Sequence, residues 1–284
     1  MADLANTKVG FIGAGVMAFA LAKGFVESSC VKKEQILMLV RNDVKRSLVE
    51  DLGYTAVCDP RDVALADVIF LSVKPQDAIA LLKEISFMVH EKKHLLISIC
   101  AGVDLKTLTA ALNYNRAAVD DDKVMNRRIC RVMPNTPCQI RKGVSVFSVG
   151  AGCTPADVEV LNTLLSAVGT CYQIDEKHMA AASAISGSGP AFVFTLLDAL
   201  ADGGVKNGLP RKLAQDLAMD MVAGSATLAR AEFGRRHFAE LKDQVTSPGG
   251  TTIAGIAALE RWGFRNAVLQ AIDATTDRSK DLGG

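Results

Sequence analysis

A short apolar run, Lys8–Ile12, breaks into Gly13-Ala14-Gly15 and resumes at Val16 as an apolar stretch of helical length, Val16–Val26. No other feature constrains the fold as much. A strand that ends in G-x-G-x-x-A and opens a helix is the head of a βαβ unit. Gly13 allows the tight turn, and Gly15 lets a pyrophosphate approach the backbone. Ala18 lets helix and strand pack closely, and the helix N-terminus faces the phosphates. The plainer alternative is an ordinary glycine-rich connection; the position at the head of an alternating series favours a dinucleotide site. Gly13, Ala14, Gly15, Val16 and Met17 are the first cofactor-contact candidates.

The alternation continues. Ile36–Val40 reads as a strand and Val44–Leu52 as a helix. Val68–Val73 and Leu95–Cys100 are continuous apolar strands. Between them Ala78, Leu81, Leu82, Ile85, Met88 and Val89 recur at helical spacing. Ile129–Met133, Val144–Val149 and a helix from about Ala156 to Ala167 complete the series. Strands apolar on both faces, alternating with helices, predict a mostly parallel, doubly wound α/β sheet. After Ile174 no strand pattern returns. Pro190–Asn207 reads as a long helix, apolar almost all round in its first half, followed by Gly208 at a left-handed position and Pro210 in the next first turn. Further helices are expected around Leu213–Leu228, Thr252–Arg261 and Arg265–Lys280. The expected division is an α/β domain over 1–174 and an all-α domain over 175–284. A helix apolar all round must be buried, which in so small a domain points to a subunit interface. Asn113–Arg128 reads as a polar surface excursion without an assigned function.

The net charge is +1, so no global field favours nucleic acid or an acidic membrane surface. Cys30, Cys58, Cys100, Cys130, Cys138, Cys153 and Cys171 are odd in number and widely spaced, without a C-x-x-C, which reads as reduced thiols in a reducing compartment. No uninterrupted apolar run reaches the roughly 18 residues of a membrane span. The strand that follows the first few residues leaves no room for a targeting segment, so a cytoplasmic protein is expected.

Residues 90–94, HEKKH, fit the zinc motif H-E-x-x-H. That motif needs a helix continuing through it and a third ligand downstream. Here the preceding helix has run out and a strand begins at Leu95. The two histidines are expected to point in different directions, as solvated charge at a helix end. No metal site is expected.

The second strand ends in Val40-Arg41-Asn42 where an NAD site usually presents an acid to the ribose. A guanidinium there favours a 2′-phosphate, hence NADPH, with NADH as the alternative; the plainer reading of Arg41 is a solvated surface arginine. Ser72, Val73, Lys74 and Pro75 in FLSVKP (70–75), and Ala101 and Gly102 in SICAG (98–102), sit at strand C-terminal ends, where ligands lie in such sheets. RVMPNTP (131–137) presents Asn135 between prolines, as a rigid turn or as a ligand contact. LKDQVTSPGGTTI (241–253) gathers Thr246, Ser247, Gly249, Gly250, Thr251 and Thr252 before a helix. That cluster of N–H groups and hydroxyls suits a carboxylate, although a capped turn needs only one of them.

GFIGAGVMA, VKP, RVMPNTP, SGSGPAF (186–192), DALADGGVKNGLP and LKDQVTSPGGTTI, in this order, resemble the Δ1-pyrroline-5-carboxylate reductases over essentially the whole chain. The resemblance implies the last step of proline biosynthesis, hydride transfer from NAD(P)H to the imine carbon of 1-pyrroline-5-carboxylate to give L-proline. It implies an N-terminal Rossmann domain, an all-α dimerisation domain intertwined with a partner, and assembly into a higher ring-like homo-oligomer. The substrate would lie between the nicotinamide and the SPGGTT loop, with part of the site from the partner subunit. Thr252 would hydrogen-bond the ring nitrogen and donate the proton; Ser247, Gly249, Gly250 and Thr251 would belong to the substrate site, and Glu176 would contact the substrate, or serve only as a first-turn acid at a helix N-terminus. Gln244 and Asp59 would face the cofactor. Both depart from the family pattern: Asp59 stands where an asparagine is expected beside the ribose, and Gln244 where some relatives carry asparagine. Two competitors remain. A β-hydroxyacid dehydrogenase relative would need a lysine on the interdomain helix, and none occurs between Lys177 and Lys206. A non-catalytic NADPH sensor would need no hydroxyl-rich carboxylate loop.

Overall fold

In the computed structural model, residues 2–114 and 126–282 are described. The α/β part runs β1 (Val9–Ile12), α1 (Val16–Glu27), β2 (Ile36–Leu39), α2 (Asp43–Asp51), β3 (Thr55–Val57), α3 (Pro60–Val63), β4 (Val68–Leu71), α4 (Pro75–Ile85), β5 (Leu95–Ser98), α5 (Leu105–Asn113), β6 (Ile129–Met133), β7 (Gly143–Val149), α6 (Pro155–Ser166) and β8 (Gly169–Gln173). The strands form one sheet in the order β3-β2-β1-β4-β5-β6-β7-β8. Only the β6–β7 pair is antiparallel. The order reverses at β1, and in open sheets that point puts the ligand crevice at the carboxyl ends of β1 and β4.

The period-2 alternation of each strand builds a core on each face. Phe11, Met38, Phe70 and Ile97 pack with Leu21 and Phe25 of α1 and Leu161 and Leu164 of α6. Ile12, Leu39, Ile69, Leu71 and Leu96 pack with Leu81 and Leu82 of α4 and Leu108 of α5. Phe11 and Phe70 stack with ring centroids 4.9 Å apart, directly beneath the first turn. Truncating such a buried ring costs about 3–5 kcal/mol, so the turn rests on a stiff floor.

The remaining helices are α7 (Met179–Ser186), α8 (Gly189–Lys206), α9 (Arg211–Ala231), α10 (Phe238–Val245), α11 (Thr251–Arg261) and α12 (Phe264–Asp281). The chain divides into two compact units, residues 1–188 with 275–284, and residues 189–274. In the second unit α8 and α9 form a helical hairpin, with Gly208 at φ +94° between them. Its buried hydrophobic residues, among those described, are Ala201, Ala214 and Ala218. Phe194, Leu217, Met221 and Leu228 are exposed, and Trp262 is 86% exposed. The first half of α8, expected to be buried all round, is therefore open within one chain. By length and composition the helical segment Glu176–Lys206 is apolar enough to cross a membrane, although polar residues such as Ser186, Ser188 and Asp198 interrupt it.

Candidate active site

The crevice at the switch point is a cavity of about 390 Å³ lined by Gly13, Ala14, Gly15, Arg41, Asn42, Lys45, Ser72, Val73 and Lys74. Gly13 has φ +104°, and a Cβ there would stand 2.9 Å from the Ser72 carbonyl oxygen. Gly15 is the N-cap of α1 at φ −90°, ψ 175°, and supplies no side-chain cap. The first N–H groups of α1, with Val16 and Met17 in its first turn, are left for an anion. The Ser72 hydroxyl donates to the Gly13 carbonyl at 2.7 Å, so its visible work is to pin the glycine turn. These features fit a dinucleotide pyrophosphate.

At the end of β2, Arg41 is exposed. Asn42 caps α2, its Oδ1 accepting from the Lys45 N–H at 2.9 Å. Sequence reasoning missed Lys45, whose ammonium donates to the Ala14 carbonyl and joins α2 to the glycine turn. Its place one turn into the helix after the charged strand end was the available signal. Arg46 reaches the Cys58 sulfur at 2.8 Å. Asp59 caps α3 and pairs with Arg61, whose Nε donates to Oδ2 at 2.7 Å. That hydrogen bond holds its carboxyl below the usual range. The carboxylate that stands where an asparagine is expected is thus already answered by a guanidinium.

Lys74 is the N-cap of α4, with Pro75 as its first helical residue and no side-chain cap. Gly102, after β5 and Ala101, has φ +79° and is covered by Leu282, whose Cβ lies 2.8 Å from where a Gly102 Cβ would sit. Asn135 is buried with both ends of its amide taken: Oδ1 accepts from the Val144 N–H and Nδ2 donates to the Ser186 carbonyl, each at 2.8 Å. Its side chain is a strut that fixes the turn after β6. Glu176 Oε1 accepts from the Leu105 N–H at 2.8 Å and from Arg131 at 3.2 Å. It therefore satisfies the first N–H of α5, whose N-cap is Asp104, beside a cavity of about 880 Å³.

In the second unit, Thr246 ends α10 and donates to the Asp243 carbonyl at 3.0 Å. The Gly250 N–H closes a turn on the Ser247 carbonyl at 3.1 Å, with Gly249 at φ +67°. Gly250 is the N-cap of α11 at φ −80°, ψ 174°, again without a side-chain cap. Thr251 and Thr252 are the first residues of α11, and Thr252 is half-buried. Gln244 lies exposed in the last turn of α10. The turn thus presents open N–H groups and threonine hydroxyls together.

HEKKH is a turn. Helix α4 ends at Ile85, before the motif. The expectation of two diverging, solvated histidines is corrected: the rings lie with centroids 5.8 Å apart, and His94 is buried. His94 Nδ1 accepts from the His90 N–H at 2.7 Å, and Nε2 lies 3.0 Å from the Ala64 carbonyl. Among the described residues no group of three metal-ligating side chains gathers. Arg127, expected in a surface excursion, is buried, with its guanidinium on the Leu112 carbonyl at 3.3 Å; positions 115–125 of that stretch lie outside the described residues.

A doubly wound sheet with a glycine cradle at its switch point, joined in sequence to a helical unit carrying an anion-receptive turn, defines a Rossmann-type oxidoreductase. Residues 176–282 match the family described as pyrroline-5-carboxylate reductase dimerisation, and residues 8–102 match NADP oxidoreductase coenzyme F420-dependent. The pyrroline-5-carboxylate reductase of Pisum sativum is 39% identical over 96% of this chain and 95% of its own length. That of Methanosarcina acetivorans is 39% identical over 98% of each chain. The Plasmodium falciparum pyrroline carboxylate reductase crystal structure with NADP bound superposes with a TM-score of 0.86 at 31% identity, covering 98% of this chain and 99% of that one. The chain belongs to the pyrroline-5-carboxylate reductase family. It is an oxidoreductase that reduces pyrroline-5-carboxylate to proline in proline biosynthesis.

Proposed function

We propose that the chain performs this reduction with NADPH in preference to NADH, as a cytoplasmic homodimer that assembles further into a ring. The observation that carries the reading is the pair of uncapped glycine helix starts, one suited to a pyrophosphate and one to a carboxylate. Bound NAD(P)H supplies the hydride that the imine carbon of 1-pyrroline-5-carboxylate receives. The chain's own residues bind, orient and protonate. Gly13, Ala14, Gly15, Val16 and Met17 hold the pyrophosphate on α1. Arg41, flanked by Asn42, takes the 2′-phosphate, and the Asp59–Arg61 pair leaves Arg41 uncontested. Ser72, Val73, Lys74, Pro75, Ala101, Gly102, Asn135 and Gln244 complete the cofactor set, with Ser72 and Asn135 acting as positioning residues.

Ser247, Gly249, Gly250 and Thr251 receive the substrate carboxylate on the N–H groups and hydroxyls that open α11. Thr252 hydrogen-bonds the ring nitrogen and hands it the proton. A protonated imine is already electrophilic, so no covalent nucleophile is required and the work is orientation. Glu176 orders the start of α5 through Leu105 and contacts substrate. We assign residues 1–174 to nucleotide binding and 175–284 to dimerisation and substrate binding. The open faces of α8 and α9 are read as the surface that a second copy covers, in a chain that takes neither membrane nor nucleic acid as partner. The test is NADPH oxidation on adding 1-pyrroline-5-carboxylate, with NADH in parallel and proline assayed. Turnover several-fold faster with NADPH supports the reading. Equal rates overturn the Arg41 assignment, and nucleotide binding without turnover identifies a sensor.

A further inference from the structure

We propose that Cys130 and Cys153 form a reversible disulfide, a redox-modification site in the first unit that the reductase reaction does not use. Cys130 is the second residue of β6 and is fully buried; Cys153 follows β7 and is partly exposed. Two glycines bring them together. Past Val149 the chain folds back onto β6, the Gly150 N–H donating to the Ile129 carbonyl at 2.8 Å and the Cys153 N–H to the Gly150 carbonyl at 3.0 Å. A Cβ at Gly150 would stand 3.0 Å from the Ile129 oxygen, and one at Gly152 would stand 2.3 Å and 2.4 Å from the Asn126 and Arg127 oxygens. Side chains there would lift the turn off the strand. Without them the two sulfurs sit 3.7 Å apart.

The other five cysteines have different neighbours. Cys30 faces the Thr163 carbonyl, Cys58 meets Arg46, Cys100 the Leu71 and Val73 carbonyls, Cys138 Ser145, and Cys171 Asn162. In the pair the roles are unequal. Hydrogen bonding to Cys153 and burial hold the Cys130 thiol far above the usual range. The hydrogen bond from Cys130 brings Cys153 below it. Cys153 also stands one residue before Thr154, the N-cap of α6, where the helix end favours a thiolate. Cys153, the partly exposed residue of the pair, with its Sγ also 3.2 Å from the Ile129 carbonyl oxygen, is thus the nucleophile and the buried Cys130 the resolver.

The oxidant is a low-molecular-weight disulfide, RSSR. The Cys153 thiolate attacks one of its sulfurs; a Cys153–SR bond forms, the S–S bond breaks, and RS⁻ leaves and takes up a proton. The Cys130 sulfur, losing its proton to the second departing RS⁻, then attacks the Cys153 sulfur. Two thiols are oxidised, one RSSR is reduced to two RSH, and the sulfurs close from 3.7 Å to about 2.05 Å.

The experiment is titration of the reduced full-length protein with glutathione disulfide, followed by acid quench, alkylation of remaining thiols and peptide mass analysis. The expected result is a linked Cys130–Cys153 peptide, loss of those two thiols with glutathione on neither, a separate glutathione adduct on the exposed Cys58, and full recovery with dithiothreitol. In Cys130→Ser a glutathione adduct should accumulate on Cys153, trapped for want of a resolver. In Cys153→Ala, Cys130 should stay free. The proposal is overturned if wild-type protein keeps a stable adduct on Cys153 with Cys130 alkylated. It is equally overturned if both stay free at a concentration that fully modifies the exposed Cys58. The wild-type readout stands even if a variant fails to fold.

Discussion

Two helices in this chain begin alike and live in unlike surroundings. Gly15 opens α1 at φ −90°, ψ 175°, and Gly250 opens α11 at φ −80°, ψ 174°, both without a side-chain cap. Elsewhere Asn42, Asp104, Thr154 and His237 cap their helices with side chains. The first start rests on a sheet with a full core on each face. The second belongs to a unit whose described buried hydrophobic residues are three alanines. One chain's fold is sufficient to hold a nucleotide turn. The carboxylate turn stands on helices whose apolar faces are open until something covers them. On the reading proposed here, nucleotide binding is a property of the chain and turnover a property of the dimer.

The largest effect should come from breaking that dependence. Phe194→Asp puts a charge on the open face of α8, where burial against a second copy would cost several kcal/mol. Monomers should appear by sedimentation and turnover should fall below detection, with nucleotide affinity unchanged by titration. A dimer that still turns over would mean that this face is no interface. Next comes Thr252→Ala. Losing a positioned proton donor costs about 10²- to 10⁴-fold in kcat. Thr252→Ser should recover most of it, a rescue that a purely structural threonine would not show.

The two glycine starts then separate by what a methyl group meets. Gly13→Ala meets the Ser72 backbone at φ +104°, a strain of about 1–3 kcal/mol, and should weaken nucleotide binding about ten- to hundredfold. Gly250→Ala meets the Ser247 Oγ at 2.3 Å and, less tightly, the Ser247 carbonyl oxygen at 3.2 Å, with an ordinary φ of −80°. That hydroxyl can rotate away, so the substrate KM should rise by less than about tenfold, within what a rotamer change costs. Equal effects in a fluorescence titration and a KM measurement would erase the contrast. Arg41→Ala removes a hydrogen bond to a charged group, worth about 1.5–3 kcal/mol. The KM for NADPH should rise about tenfold or more while that for NADH stays put.

Legibility in the sequence followed packing. Strands apolar on both faces, such as β4 and β5, were readable because the sheet buries both of their faces. Strand β3 is three residues long, and β8 lies on the sheet edge and is largely exposed, so neither carries an apolar pattern. The cradle at Gly13 was readable because only glycine adopts its backbone. Lys45 was not, because its contact with Ala14 reaches across the chain, and the Asp59–Arg61 pair was not, because two charged residues two apart pair only when a turn such as the start of α3 brings their side chains together. HEKKH misled in the opposite way. Its charged letters imply solvent, yet the fold uses His94 as a buried link between the turn and Ala64.

That link gives the smallest prediction and the sharpest probe of the first unit alone. His94 accepts at Nδ1 from the His90 N–H, so its Nε2–H donates to Ala64 and the ring is held neutral. Protonating Nδ1 would set two N–H groups against each other. Burial first, and then the nearby Lys93 and His90, hold its pKa below the ordinary 6.5. As pH falls through 6.5, the unfolded chain takes up a proton that the folded chain refuses. Stability is therefore full above that value, declines as pH drops below it, and levels once the folded group also titrates. In His94→Gln, an amide can repeat the acceptor and donor without titrating, so the slope should flatten. The single tryptophan, Trp262, lies in the second unit and is 86% exposed within one chain, so its signal follows loss of the second copy that covers that unit on the proposed reading; nucleotide release reports the first. A pH slope seen in nucleotide release and absent from the tryptophan signal would mean that the two units unfold separately. The same slope in both would mean that they unfold as one, and the contrast between the two glycine starts would then concern binding alone.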